Sequence, residues 1–288
     1  MNFDETTLTD AVLARIGPDA PERFRTVMTS LVRHLHDFVR EVELTEDEWL
    51  AGIRFLTATG QACDDKRQEF ILLSDTLGVS MLVDAVNHRF PAGATQTTVV
   101  GPFFVDGAPE VAHWADIAGG AGGVPCFLSG RVLDTAGRPL AGAVIDVWQC
   151  EGEEGLYDVQ APERGTYCRA KVRTDAAGRW ALRTVQPVSY PVPTDGPVGR
   201  MLLTMGRHPY RPAHVHTRIG CEGFRTLTTH LFVRGDAYLG SDAVFGVKDS
   251  LVVDFVRHPP GPTPDGGASG VEFSTASFDF VLAPERGG

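Results

Sequence analysis

Cys126-Phe127-Leu128-Ser129-Gly130-Arg131-Val132-Leu133 is a strand-like run. It is followed by the turn residues Asp134-Thr135-Ala136-Gly137-Arg138-Pro139 and by a returning run from Ala143 to Gln149. A second turn, Thr174-Asp175-Ala176-Ala177-Gly178-Arg179, separates Lys171-Val172-Arg173 from Trp180-Ala181-Leu182. Short β-rich runs punctuated by glycine, proline and aspartate are the pattern of an all-β sandwich. Further strands are expected at Ala213 to Ile219, Leu227 to Val233, Ser250 to Val256 and Ser277 to Leu282, with Pro259 to Gly270 as a connecting loop. This texture begins near Gln96.

Upstream of Gln96 the pattern is helical. Phe24, Val27, Met28, Leu31, Val32, Leu35, Phe38, Val39 and Val42 form one apolar stripe, because residues three and four apart share a helix face. Thr45-Glu46-Asp47-Glu48 is a capping-box pattern that opens a second helix. Phe70, Leu72, Leu73, Leu77, Met81 and Leu82 mark a third helical region, bent near Gly78. The fold class is therefore α+β, with a helical N-terminal domain over 1–95 and a β-sandwich domain over 96–288. The stripe fits either helix packing or a dimer interface.

The chain has 288 residues, 26 Lys plus Arg against 37 Asp plus Glu, and a formal charge of −11. Such an acidic surface disfavours nucleic acid and anionic membranes, both of which need basic groups. No apolar run is long enough to span a bilayer, and the N-terminus is acidic where a signal peptide is basic. The five scattered cysteines fit a reducing compartment and lack structural-zinc spacing. These features together read as a cytoplasmic protein without membrane insertion.

The candidate chemistry lies in Gly206-Arg207-His208-Pro209-Tyr210-Arg211-Pro212-Ala213-His214-Val215-His216. On a strand, alternate side chains share a face, so His214 and His216 form a chelating pair or two polar residues on a solvated face. His34 and His36 sit two apart on a helix, point apart, and read as surface or packing residues. Two long irregular segments, Glu151 to Gly165 and Gln186 to Met201, each carry a tyrosine, Tyr157 and Tyr190. Long loops on a rigid sandwich commonly carry function, although a loop tyrosine can equally be packed with its hydroxyl on backbone.

Taken together, these pieces resemble the intradiol ring-cleavage dioxygenases. The resemblance runs in order from Phe70-Ile71-Leu72-Leu73-Ser74-Asp75-Thr76-Leu77-Gly78 through Gly101-Pro102-Phe103-Phe104 and Gly155-Leu156-Tyr157-Asp158. It continues in Tyr190-Pro191-Val192-Pro193-Thr194-Asp195-Gly196-Pro197, Gly206-Arg207-His208 and Gly235-Asp236. It implies a non-haem Fe(III) ion, one per subunit, held by Tyr157, Tyr190, His214 and His216, with Tyr190 and His216 axial. Phenolate is a hard anionic donor suited to a ferric ion, which can deprotonate a tyrosine of ordinary pKa about 10. The resemblance further implies a catalytic role for Tyr190, which leaves the metal and takes a substrate proton, and for Arg211, which stabilises negative charge on the ring.

It also implies a pocket lined by Leu72, Asp75, Val99, Val100, Gly101, Phe103, Val192, Pro193, Arg211 and Val244. His230, on the strand after the histidine pair, stands where the catechol branch often has glutamine and is either a support behind the metal ligands or a further pocket candidate. The N-terminal helices would form a homodimer interface enclosing a phospholipid-binding tunnel. The Leu73 to Asp84 run and the Gly101-Pro102-Phe103-Phe104 form look most like the hydroxyquinol branch, which acts on benzene-1,2,4-triol and dioxygen to give maleylacetate. Asp75 would accept a hydrogen bond from the third hydroxyl, or alternatively cap its own helix. Catechol or chlorocatechol cleavage is the close alternative. The Gly130 to Ala143 pattern also resembles non-catalytic transthyretin-like binding modules, and a zinc hydrolase on a sandwich is a third reading.

Overall fold

Helix formation in the first sixty residues follows the local signals. The structure, a computed structural model, describes residues 3–64 and 67–285. Its packing divides the chain into two units, Met1–Gln61 and Ala62–Gly288. The first unit holds α1 (Leu8–Leu13), α2 (Glu22–Glu41) and α3 (Glu46–Gln61). The expected apolar stripe lies along α2, and no residue of that helix is buried, with Phe24 57% and Leu35 53% exposed. His36 Nδ1 pairs with Thr9 Oγ1 at 2.9 Å, tying α1 to α2, while His34 is exposed. The capping box of α3 forms as expected: Thr45 N donates to Glu48 Oε2 at 3.0 Å and Glu48 N to Thr45 Oγ1 at 3.3 Å.

In the second unit the apolar run after Gln68 becomes α4 (Glu69–Thr76) and α5 (Val79–Asn87). The break falls at Gly78, whose φ of +74° is the left-handed conformation that glycine adopts without strain. These two helices therefore belong to the same unit as the sheets.

Two sheets follow. The first runs β1 (Glu110–Val111), β4 (Arg169–Arg173), β3 (Val144–Trp148), β8 (His214–Gly220), β9 (Leu227–Val233) and β10 (Val252–Val253), in that spatial order. The second runs β11 (Val256–His258), β14 (Phe273–Ser277), β2 (Pro125–Asp134) and β15 (Phe280–Leu282), with β5 (Arg179–Val185) also paired to β2. Leu128, Val132, Leu182 and Phe280 from the second sheet share one core with Ile145, Val147, Val215 and Ile219 from the first. Such burial, at about 25 cal/mol per Å² of apolar surface, is the main stabilising term.

The two turns do not make hairpins. β2 and β3 lie in different sheets, as do β4 and β5. A short ladder starts where Leu133 bridges Pro139, but Pro139 has no N–H to continue it. Each turn instead closes on its own aspartate: Asp134 Oδ1 accepts from Ala136 N and Arg138 N, and Asp175 Oδ1 from Ala177 N and Arg179 N. The chain then crosses to the opposite sheet.

Three more expectations need correction. Ser250 to Val256 is split into a 3₁₀ turn, β10 and the start of β11, because the chain changes sheets there. Ser277 to Leu282 is the end of β14 and all of β15, which pair in succession with β2. The Pro259 to Gly270 connection contains a small ladder of β12 (Gly261–Pro262) and β13 (Ala268–Ser269).

The Gln186 to Met201 segment is more ordered than its composition suggests. It holds β6 (Tyr190–Pro191), paired with β7 (Tyr210–Arg211), and most of α6 (Pro197–Thr204). Pro197 occupies the first turn of α6, where a missing N–H costs nothing. The buried Glu69 carboxylate accepts from Val198 N at 3.1 Å, supplying from α4 the cap that the local sequence lacks.

Candidate active site

Strand β8 positions the histidines. Val215 and Ile219 point into the core between the sheets, so His214 and His216 point to the opposite face. That face is covered by loops, and both imidazoles are buried. His214 Nδ1 lies 2.7 Å from Pro212 O and donates to it, which leaves Nε2 as the lone-pair nitrogen. His216 Nδ1 lies 2.6 Å from His230 Nε2, and its own Nε2 comes within 3.1 Å of His214 Nε2.

The tyrosines converge on the same point. Tyr190 sits on β6 opposite Arg211 of β7. Tyr157 enters a 3₁₀ turn over Asp158–Gln160, its N–H held by Gln160 Oε1 at 2.9 Å. The Tyr157 hydroxyl lies 3.2 Å from that of Tyr190 and 3.5 Å from His214 Nε2, and the Tyr190 hydroxyl lies 3.4 Å from His214 Nε2. Two glycines permit this approach. A Cβ on Gly155, φ +76°, would stand 2.8 Å from Tyr190 Cβ, and one on Gly101, φ +78°, would stand 3.0 Å from His216 Cε1.

Burial pushes the phenols of Tyr157 and Tyr190 above their ordinary values, with the Arg211 charge opposing it. It drives His214 down to about 3, aided by Arg211, and His216 well below 6.5. These are neutral imidazoles, the form that binds a metal. One ring nitrogen from each of His214, His216 and His230 falls within 4.8 Å of the others, so a three-histidine metal site is geometrically open. His230 Nε2, however, is taken up by its 2.6 Å contact with His216 Nδ1, which occupies that side of the His216 ring and leaves its Nε2 facing the cluster.

Arg211 is also buried. It donates from Nε to Asp242 Oδ1 at 3.1 Å and from Nη1 to His214 Nε2 at 3.2 Å. Burial opposes the Asp242 charge, but Arg211 outweighs it and holds the carboxyl below its usual range.

A cavity of about 200 Å³ opens above this cluster. Of the expected lining residues, Leu72, Asp75, Val99, Gly101, Phe103, Val192, Pro193, Arg211 and Val244 line it, with Tyr190 at its base. Val100 does not: it is 40% exposed. His230 does not reach the cavity either, standing behind His216. The sequence reading missed Arg67, Gln68, Glu69, Ile71 and Pro102, which complete the wall. It also missed Asp242, whose distance of 31 positions from Arg211 gives no local signal. Arg67 and Glu69 adjoin the Phe70 run and were findable only as its neighbours.

Two family models match the chain, "Catechol dioxygenase N terminus" over residues 21–95 and "Dioxygenase" over residues 99–284. It is 52% identical over 288 residues to the 6-chlorohydroxyquinol 1,2-dioxygenase of Cupriavidus pinatubonensis, covering 98% of each chain. It is also 52% identical over 285 residues to the hydroxyquinol 1,2-dioxygenase of Rhodococcus opacus, covering 98% of this chain and 95% of that one. The crystal structure of hydroxyquinol 1,2-dioxygenase from Pseudomonas putida DLL-E4 superposes with a TM-score of 0.91 at 51% identity, covering 98% of this chain and 99% of that one. The order of the sequence motifs, the buried tyrosine–histidine cluster and these likenesses converge: the chain belongs to the intradiol ring-cleavage dioxygenase family.

Proposed function

We propose that this enzyme opens the ring of hydroxyquinol (benzene-1,2,4-triol) with dioxygen, giving the 3-hydroxymuconate that tautomerises to maleylacetate. Its cofactor is one ferric ion held by Tyr157, Tyr190, His214 and His216. The observation that carries the reading is the convergence of two phenol oxygens and two imidazole Nε2 atoms within 3.1 to 3.5 Å contacts beneath a cavity whose lining includes the Asp75 carboxylate. The donor set fits the ion. Both Nδ1 atoms are otherwise engaged, and two phenols that burial keeps protonated need a strongly charged ion to ionise them. Ferric iron would ionise the diol and draw electron density from its ring.

The protein groups then divide the work. Tyr190, at the base of the cavity, takes up a substrate hydroxyl proton on its phenolate oxygen as the diol binds. Arg211, held by Asp242, stands beside the ring to stabilise negative charge there. Apolar walls from Leu72, Val99, Phe103, Val192 and Val244 exclude water, and Asp75 accepts from the third hydroxyl. The exposed apolar face of α2 is the contact between two copies of the chain and borders a lipid-binding tunnel, as the family resemblance implies. Among the described residues no helix is long and apolar enough to cross a membrane.

The test is a visible spectrum of the iron-loaded protein, its change on anaerobic addition of hydroxyquinol, and oxygen uptake with hydroxyquinol against catechol. A tyrosinate colour that shifts with the triol, with faster uptake on hydroxyquinol, supports the proposal. A colourless iron-loaded protein refutes the ligand set. Faster cleavage of catechol refutes the substrate.

A further inference from the structure

We propose that Arg169 is a positioning residue for Tyr157, clamping its phenol from two sides with one guanidinium. This rests on the reading of Tyr157 as a metal ligand. Arg169 begins β4 directly opposite Trp148 of β3, and Trp148 in turn lies directly opposite His216 of β8. Its backbone is therefore fixed in the same cross-strand row as His216. The side chain is buried, as is that of its partner Asp158, with 4% and 8% exposure.

The guanidinium reaches two different segments. Nε donates to Asp158 Oδ2 at 2.8 Å and Nη2 to Asp158 Oδ1 at 2.6 Å, a planar fork on the carboxylate that directly follows Tyr157. Nη2 also donates to Phe103 O at 2.8 Å. The Phe103 ring stacks on Tyr157, with centroids 4.4 Å apart and planes 28° apart. One side chain thus fixes both the backbone that carries the phenol and the ring that lies against its face.

Among the described residues the Tyr157 hydroxyl bonds only to Tyr190 and His214, so no other hydrogen bond among them sets the ring's angle. That angle is set by the stack and by the chain entering and leaving Tyr157. Arg169 and Asp158 neutralise each other, which makes their influence geometric rather than a net charge on the site. A lysine could make one of these contacts as a point donor but could not span the fork and the carbonyl together.

The experiment compares the iron-loaded wild type with Arg169→Lys, Tyr157→Phe and the double variant, reading iron content, the tyrosinate-to-iron absorption band and kcat. Arg169→Lys is expected to keep its iron, to shift and weaken the band, and to lower kcat about ten- to a hundredfold, the scale typical of groups that orient metal ligands. In the Tyr157→Phe background the remaining band belongs to Tyr190, and adding Arg169→Lys should leave it unmoved. A merely structural role would disturb both bands alike, and that result overturns the proposal, as does an Arg169→Lys enzyme with wild-type band and kcat. Should Arg169→Lys fail to fold, Asp158→Asn weakens the same fork more gently and is held to the same outcomes. A Tyr157→Phe protein with the wild-type band would instead sink the ligand assignment, and with it any phenol for Arg169 to position.

Discussion

Replacing Asp75 by alanine separates the triol from the diol. Asp75 is 6% exposed and lines the cavity together with the apolar side chains of Leu72, Val99, Phe103, Val192 and Val244. Burial raises its pKa, opposed by the Ser80 hydroxyl and the Arg211 charge. A hydrogen bond to a charged acceptor is worth about 1.5–3 kcal/mol, and about 1.4 kcal/mol corresponds to a factor of ten. Loss of the carboxylate should therefore lower kcat/KM for hydroxyquinol by roughly ten- to a hundredfold. Catechol has no third hydroxyl to offer, and its binding covers the carboxylate without giving it a new partner, so its kcat/KM should hold or rise on the substitution. The assay is initial oxygen uptake with each substrate on the same iron-loaded preparations. The reasoning fails if both substrates lose activity by the same factor, because Asp75 would then be holding the α4–α5 roof rather than reading the ring.

Asp75→Asn should be the more stable protein at neutral pH, since a folded-state pKa above the ordinary 3.8 makes the carboxylate a cost that grows as pH rises through the folded value. Thermal melts of the two proteins should converge in acid, below 3.8. Asp242→Asn removes the charge that holds the buried Arg211 and should cost about 3–5 kcal/mol of stability in denaturant melts, with kcat/KM falling at least tenfold. Gly101→Ala forces a left-handed alanine against His216 Cε1 and should lower iron occupancy measured by elemental analysis. Glu69→Gln weakens the cap on α6 and the pair with Arg67, lowering stability by about 1–3 kcal/mol in the same melts.

The histidine pair was legible because the strand period of two is local: His214 and His216 share a face wherever that strand goes. The helices were legible for the same reason, through the α2 stripe, the Thr45–Glu48 box and Gly78. The tyrosines were different. Tyr157 stands 57 positions and Tyr190 24 positions from His214, and only the resemblance joined them. Strand partners failed where the chain changed sheets, since Asp134 and Asp175 give turn signals that are identical for a hairpin and for a crossover. α6 escaped notice because its cap is Glu69, more than a hundred positions away. What sequence cannot express is which distant group satisfies a local deficit.

The register of the first sheet explains why one site needs so much of the chain. Arg169, Trp148, His216 and His230 are successive partners across β4, β3, β8 and β9, so all four side chains leave the same face in one row. The Trp148 ring stacks on His216 with centroids 4.8 Å and planes 13° apart, and His230 takes the Nδ1 side of the same imidazole. His216 is thus fixed by neighbours on both flanks before any loop contributes. Val215 and Ile219, one position out of phase on β8, hold the core beneath. A slip of one residue in β8 would turn the core side chains outward and the imidazoles inward, so the same alternation that buries the core aims the imidazoles. Loops carrying Tyr157 and Tyr190 can then vary in path, provided each returns its phenol to a row whose position the hydrophobic core has already set.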